Sequence, residues 1–599
     1  VTLIISNFRN KQNLFTCLDT ISKHDTKIPK EVILVNDTEE SISLQGLKII
    51  NTDKTNLVKN VNHAIQEAKG KFIYFIDANT QVHEGFLSNL ISVFETKKNS
   101  VAVESKLVSK NQMILNFNPQ KALDQPEYNY LQKILITKGQ SVLIKKENAL
   151  QSLFLDDSYK SVEFALKDFC LQQEKKQIGY TYYQPYSEIS LLENENSISK
   201  EDEILFKEKW GGYIPNNPYK KSSILFLEEN MPKPDQDSGS RRFFEIVKIL
   251  IEKKHHLILA VKHYNEETDR EYVDFFRKYG VEVCVDFVNA KNKIEKVNQQ
   301  VLESIKRVDV IWIFRPLGFD YWYSLIKNNI QNKKLVYDMV DLHYLRMERE
   351  NAYIDITENR KKETAFFKEK EYFGMSTADA VVSISDEEKK IVSEQGITNE
   401  KIFSVSNIHT SVDFLPLPFN KRDGLLFIGG YRHIPNIDAV KFLFEDIMPK
   451  VWEKEPTIKV YILGPDFPED MKKQYHSERF QILGYQESVD YWFENSRVFV
   501  APLRYGAGVK GKIGQALEFK LPVVTTEIGA EGMGLEDEVT SLISDQNPSN
   551  FAAQILKLYH EEILWNTVHQ NSHLPLSRFS IETQKTNIEN LFKYLGLNN

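Results

Sequence analysis

Between Val498 and Thr526 the chain reads VFVAPLRYGAGVKGKIGQALEFKLPVVTT, the stretch that most restricts its fold. Val498 to Val500 is short and apolar, as a buried strand is. Gly506, Gly508 and Gly511 then break the pattern. Ile513, Ala516 and Leu517 follow at i, i+3 and i+4, which is one face of a helix. Val523 and Val524 open another strand. Strand, glycine loop, helix and strand in succession belong to a parallel sheet with covering helices. Such a loop aims backbone N–H groups and a helix N-terminus at an anion, and Lys510 and Lys512 add positive charge. The simplest such anion is a diphosphate. Taken alone, the glycines favour a plain turn with solvated lysines.

A chain of 599 residues is expected to hold roughly three or four units of ordinary domain size. Its 41% hydrophobic and 27% charged residues can fill sizeable cores without staples. A net charge of −8 argues against a general nucleic-acid surface. The three cysteines, Cys17, Cys170 and Cys284, are far apart and lack metal-ligand spacing, which suits a reducing, cytoplasmic setting. No apolar run approaches a membrane span, and no signal peptide is read. The chain opens directly on a strand without Met, which leaves room for an earlier start.

Residues 1–212 alternate strands and helices, which predicts a mostly parallel wound sheet. The strands VTLII, EVILVN and KFIYFI are followed by loops, and Asp37 and Asp77 fall at the carboxyl ends of the last two, where ligands of such sheets sit. Residues 213–221 read as a polar linker. In 222–410 the strands SILFL, HLILAV, VEVCVDF, DVIWIFR and KLVYDMVDLH alternate with helices, one of them starting at Arg241. Residues 411–599 repeat the pattern, with glycine turns after GLLFI and KVYIL and a helical tail after Phe551.

The residues VTLIISNFRN, EVILVNDTEE and GKFIYFIDANTQVHEGFLSNLI resemble the GT-A fold of family 2 glycosyltransferases over about 200 residues. The resemblance implies that Asp37 contacts the nucleotide base. It maps the metal-holding Asp-x-Asp of the family onto Asp77-Ala78-Asn79, where manganese or magnesium would rest on Asp77 alone. The general-base position falls on Leu166, with Glu163 and Asp168 nearby, and the position of a downstream His falls within Leu191-Leu192-Glu193. A divalent ion on a diphosphate wants anionic oxygen, and a leucine takes no proton. The first domain is therefore expected to be catalytically weak or dead. The alternative is an active site built from Asp77, Glu163 or Asp168.

PKPDQDSGSRR, IFRP, VYDMVDLHYLR and ADAVVSISDEEKK resemble the first half of a GT-B, family 4 glycosyltransferase, and 411–599 resembles its nucleotide-binding half. This implies a donor site at Gly239, Ser240, Gly430, Arg432, Arg504, Gly508, Lys510, Lys512, Gln515 and Glu531. It makes Asp341 and His343 the catalytic candidates, although the family His position falls on Val340. The family's pair of glutamates falls on Ala507 and Gln515. Arg504 and Glu531 read equally well as a structural pair.

The expected architecture is thus α/β: a GT-A-like wound sheet followed by a GT-B module of two Rossmann-like domains. The expected reaction moves a sugar from a nucleotide-diphosphate sugar to a hydroxyl of a glycan, lipid-linked or protein acceptor. It needs no metal in the GT-B cleft, and the resemblance suggests a bacterial source. Peripheral membrane association and no nucleic-acid partner are expected. Two other readings stay open, a bifunctional enzyme with both modules active and a non-catalytic carbohydrate-binding or scaffold subunit.

Overall fold

The computed structural model describes every residue except 7–9, 37–43, 45, 52–55, 118–120, 124, 194–198, 214–220, 290–292, 354–355, 413–415 and 598–599. Asp37 and most of the predicted linker 213–221 lie outside the described residues. The chain forms two compact units, Val1–Lys220 with Asn265–Lys296, and Lys221–Tyr264 with Val297–Asn599.

The main sheet of the first unit runs in the order Lys48–Asn51, Glu31–Asn36, Thr2–Ser6, Phe72–Asp77, Ser141–Lys145, Ser100–Val108, Tyr180–Leu191 and Thr80–Val82. The first four are mutually parallel, and Ser141–Lys145 joins them antiparallel. The near-continuous apolar runs of these strands match burial on both faces. Ile4, Ile33 and Ile73 pack with Val58 and Val61 of helix Leu57–Glu67 on one face. Leu3, Ile5 and Tyr74 pack with Leu14 and Ile21 of helix Lys11–Lys23 on the other. Asn10 and Asn56 cap these helices by accepting from Asn13 and Lys59 N–H.

Residues 265–296 belong to this unit, beyond the 1–212 read from the sequence. Leu131 N–H donates to Arg277 O at 2.9 Å. The Tyr186 hydroxyl donates to Asp274 Oδ1 at 2.6 Å, and Lys97 Nζ reaches Tyr279 O at 3.2 Å. VEVCVDF forms the strand Val281–Cys284, which stands at the edge of the sheet that continues with His256–His263, as its sequence reads.

The second unit contains two parallel sheets. In one, His256–His263, Ser223–Asn230, Val310–Phe314, Lys334–Asp338, Ala380–Ser383 and Ile402–Ser404 lie side by side. In the other the order is Phe480–Gly484, Val460–Leu463, Leu425–Ile428, Val498–Ala501, Val523–Thr526 and Leu542–Ser544. The predicted strand KLVYDMVDLH stops at Asp338, and a helix begins at His343. Asp338 is fully buried and receives both arms of Arg242 at 3.0 Å and Trp312 Nε1 at 3.2 Å. Its Oδ1 also takes Val340 N–H, which turns the chain out of the sheet. The final helix Ile581–Tyr594 returns to the first sheet of this unit, where Lys585 pairs with Glu252 at 2.8 Å and Lys253 pairs with Glu589.

Candidate active site

The helix Ser238–Glu252 starts three residues before the predicted Arg241, because Asp237 caps it. Asp237 accepts Ser240 N–H at 2.8 Å and the Ser240 hydroxyl at 2.6 Å. The Ser240 hydroxyl is thus committed to the cap rather than offered to a donor. In the other half, helix Gly511–Glu518 begins after Lys510 with no side chain capping its first turn. The two N-termini converge. A Cβ on Gly511 would stand 2.5 Å from Ser238 Oγ, so only glycine permits this approach. Gly508, at φ +69°, faces the same half, with Asp341 Cβ 3.4 Å from its would-be Cβ and Glu388 Oε1 3.6 Å from it. Gly514 abuts His409, whose ring nitrogen would lie 2.3 Å from a Cβ there. Two helix N-termini and a glycine loop at one point make a place for an anion.

Lys510 is buried and its ammonium donates to Gly508 O, its own loop's carbonyl. Lys512 reaches Asn436 Oδ1, while Asn436 Nδ2 donates to Gly430 O at 2.8 Å, tying together the two glycine turns. Burial pulls Lys510 down to about 8 and Lys512 to about 7, the latter helped by repulsion from Lys510. A Cβ on Gly430 would meet nothing within 4 Å. Gln515 is half-buried and has no side-chain hydrogen-bond partner among the described residues.

Asp341 sits beside this loop. Arg346 pairs with its Oδ2, and His343 Nδ1 lies 3.3 Å from its Oδ1. Burial opposes the charge on Asp341, but His343 and Arg346 outweigh it and hold the carboxyl below its ordinary range. Burial likewise opposes the charge on His343, and Asp341 with Glu371 lifts it above its ordinary value. His343 N–H donates to Glu371 Oε1 at 2.8 Å, and the ring stacks on Phe367 at 5.8 Å between centroids. Val340, on the family His position, has φ +63°, a rare conformation for a β-branched residue and a mark of local strain. The Gly239 turn is held close to Arg315, whose guanidinium pairs with Glu228 at 2.8 Å.

Three residues expected to meet the donor are occupied by protein partners. Arg504 pairs with Asp438 rather than with Glu531, Nε to Oδ2 at 2.9 Å. Glu531 takes both arms of Arg349 at 2.6 and 2.8 Å. Arg432 is exposed and pairs with Asp466 at 2.9 Å. Sequence reasoning missed Arg349, Arg346 and Glu388. Arg349 also donates to Gly506 O at 2.7 Å, so it ties the helix His343–Glu350 to the glycine loop. Glu388 is buried and takes Leu342 N–H at 3.3 Å on one oxygen, while Oε2 has no hydrogen-bond partner among the described residues. Burial, with Asp341 adding, pushes it up to about 8. The signals were present: Arg346 and Arg349 follow His343 at i+3 and i+6, and Ser385-x-x-Glu388 is a helix-capping pattern.

In the first unit Asp77 is buried at a strand end, as its place in the sequence predicts. Asn79 turns onto Asp77. Its backbone N–H and its Nδ2 both donate to Asp77 Oδ1 at 2.8 Å, and its Oδ1 accepts from Asn13 Nδ2 at 3.2 Å. Glu193 Oε1 accepts from Asn13 and Asn10 at 2.6 and 2.7 Å. A divalent ion on the family's Asp-x-Asp needs convergent oxygens, and here an amide N–H faces the carboxylate, so these residues do not fit the metal. No group of three His, Cys, Asp or Glu suited to a metal occurs among the described residues. Leu166 is fully buried in the core. Asp168 is 1% exposed and bonded to Trp210 Nε1, Gln172 Nε2 and Lys209 Nζ at 2.7, 2.6 and 2.7 Å, a structural cluster. Glu163 pairs with Lys167 on the first turn of its helix. A concavity of about 540 Å³ opens beside Asn62 and Leu155, and none of Asp77, Asn79, Glu163 and Asp168 lines it.

The two parallel sheets with facing glycine turns, preceded by a wound sheet in which Asp77 ends a central strand, are the architecture of a tandem glycosyltransferase. Residues 2–145 match the family model Glycosyl transferase family 2, and residues 422–561 match Glycosyl transferases group 1. The chain is a glycosyltransferase that carries both domains in tandem, GT-A followed by GT-B. A relative from Klebsiella pneumoniae, described as an uncharacterized 44.6 kDa protein in cps region, is 22% identical over 334 residues, spanning 52% of this chain and 85% of the relative. Among solved structures, Anabaena Alr3699/HepE in complex with UDP and glucose is 12% identical with a TM-score of 0.47, covering 62% of this chain and 99% of that one. TarM is 12% identical with a TM-score of 0.49, covering 63% and 100%. Sucrose-phosphate synthase from Thermosynechococcus elongatus is 14% identical with a TM-score of 0.46, covering 63% and 99%.

Proposed function

We propose that the second unit transfers a sugar from a nucleotide-diphosphate sugar to a hydroxyl acceptor, and that the first unit is auxiliary. The observation that carries this reading is the meeting of helix N-termini Ser238 and Gly511 beside Lys510 and Lys512. The leaving diphosphate is stabilised there by fixed N–H dipoles and two ammonium groups. Lys510 leaves its own carbonyl for the phosphate when the donor arrives. Asp341, kept ionised by His343 and Arg346, accepts a hydrogen bond from the attacking hydroxyl and orients it. Family resemblance supports retention of anomeric configuration.

The auxiliary role of the first unit rests on Asn79, which closes Asp77 instead of widening the ligand set. Acceptors of this kind are surface glycans or lipid-linked glycans. The relative in a cps region supports a polysaccharide setting. The three cysteines are buried and far apart in sequence, which supports a reducing setting. No helix among the described residues is long and apolar enough to cross a membrane.

The test is turnover of a panel of UDP-, GDP- and TDP-sugars by the full chain and by the Lys510→Ala/Lys512→Ala variant. Loss of about 10²–10³ in kcat is expected from removing the cations, with the melting profile retained. Turnover that survives the double change would overturn the phosphate assignment. Glycan binding without turnover of any donor would favour the scaffold reading.

A further inference from the structure

The second unit holds a groove that neither Asp341 nor the lysine loop lines. It lies at the carboxyl ends of strands Ala380–Ser383 and Ile402–Ser404, under the final helix, with a volume of about 570 Å³. Ligands of parallel sheets favour such edges. Thr583, Asn587 and Asn590 stand on one face of the final helix and all border the groove.

Ser406 supplies the second observation. It lines the groove at 8% exposure, and its Oγ has no hydrogen-bond partner among the described residues. Its backbone N–H donates to Gln584 Oε1 at 2.8 Å, which holds the residue against the final helix. A buried hydroxyl without a partner is costly, and a bound hydroxyl or amide that reaches it would relieve it.

The lining selects the chemistry of the occupant. Asp386 and Glu387 offset Lys389 and Arg578, so the groove has no net charge. The first turn of helix Asp386–Glu394 is wholly acidic, which repels phosphate from its N-terminus. An apolar chain would strand the amides of Asn587 and Asn590. Side-chain amides and hydroxyls that both donate and accept, beside the rings of Phe403 and Phe579, match a neutral polyhydroxylated ring.

The groove also touches the donor side. A Cβ on Gly532 would meet Ser385 and Glu387 at 3.4 and 3.5 Å, and Gly532 follows Glu531. On the same helix, Glu388 faces Gly508. An occupant therefore rests against the loop that Arg349 holds.

We propose that this groove binds a neutral saccharide at a site separate from the donor cleft, with Ser406 and Asn587 as contacts. The source is either the acceptor chain or a free sugar. Saturation-transfer NMR on the full chain with maltotriose, cellotriose and chitotriose tests it, with UDP, GDP and TDP titrated in parallel. At least one trisaccharide is expected to bind, and Asn587→Leu and Ser406→Ala are each expected to weaken it five-fold or more without moving nucleotide affinity. Ser406→Ala is also expected to leave the melting temperature unchanged or raised, because it removes the orphaned hydroxyl. If the bound trisaccharide is elongated and the variants raise its KM, the source is the acceptor chain; if it is not elongated, the source is a free sugar. Absence of trisaccharide binding, or binding that both variants leave intact, would overturn the proposal. Binding lost in Lys510→Ala/Lys512→Ala instead would place the sugar in the donor cleft and overturn it too. Failure of nucleotide binding alone would strike the donor-site reading and leave this one standing.

Discussion

Lys510 and Lys512 lose their protons near neutral pH because burial penalises the charged form, at about 8 and about 7 respectively. A diphosphate reverses that penalty, so binding favours the protonated lysines and draws protons from solution. The sign follows: affinity for the nucleotide falls as the pH rises through 7 and then 8. Calorimetry in buffers of different ionisation enthalpy should show net proton uptake at pH 8. Binding without proton uptake, and flat with pH, would mean that the lysines do not meet the phosphates. At this scale the sequence was informative about residue type and weak about partners. The glycines and lysines of 506–512 pointed to an anion site, which the proposed function adopts. The partners of Arg504, Glu531 and Arg432 did not, because Asp438, Arg349 and Asp466 are distant in sequence and only the fold brings them near.

Between elements, Arg349 is the link from helix His343–Glu350 to the glycine loop, through Glu531 and Gly506 O. Both partners are largely shielded, at 24% and 26% exposure, so the bidentate pair contributes about 1–3 kcal/mol. Arg349→Ala should therefore weaken nucleotide binding roughly ten-fold, and Arg349→Lys should restore only part of it, since an ammonium cannot make the two-armed contact. Titration of both variants checks this, and equal affinity in all three proteins would exclude the link. Gly464 shows the same coupling within the second sheet. At φ +124° a Cβ would stand 1.9 Å from Gly429 O. Gly464→Ala should cost on the order of 3 kcal/mol or more. Gly396→Ala, at φ +96° with open space around it, should cost about 1 kcal/mol by thermal melting. Most strands were legible as apolar runs ending in glycine or aspartate. The start of helix His343–Glu350 was not, because VYDMVDLH reads as a continuation of the strand and the break depends on Asp338 taking Val340 N–H.

For the molecule as a whole, residues 265–296 decide how the modules can be tested. They group with the first unit, where Asp274, Arg277 and Tyr279 supply partners to Tyr186, Leu131 and Lys97. A cut at the predicted linker removes those partners, so a 1–212 fragment should melt well below the first transition of the full chain and expose the Tyr186 face. The domain pattern was readable from alternating strands and helices. The excursion was not, since its helix Glu266–Tyr279 has the same amphipathic spacing as its neighbours in sequence. Questions about the first unit therefore belong to the intact protein. There Asp77→Ala removes the carboxylate that Asn79 closes, and chelation removes any divalent ion. With the chemistry in the second unit, EDTA and Asp77→Ala should each leave turnover within about two-fold. The amide facing Asp77 Oδ1 leaves a metal little to gain, and under the proposed function Lys510 with Lys512 neutralises the leaving group without one. If EDTA abolished one of two linkages formed and Asp77→Ala abolished the same one, the first unit would be a second transferase and Asn79 would have to turn away from Asp77 when the metal binds.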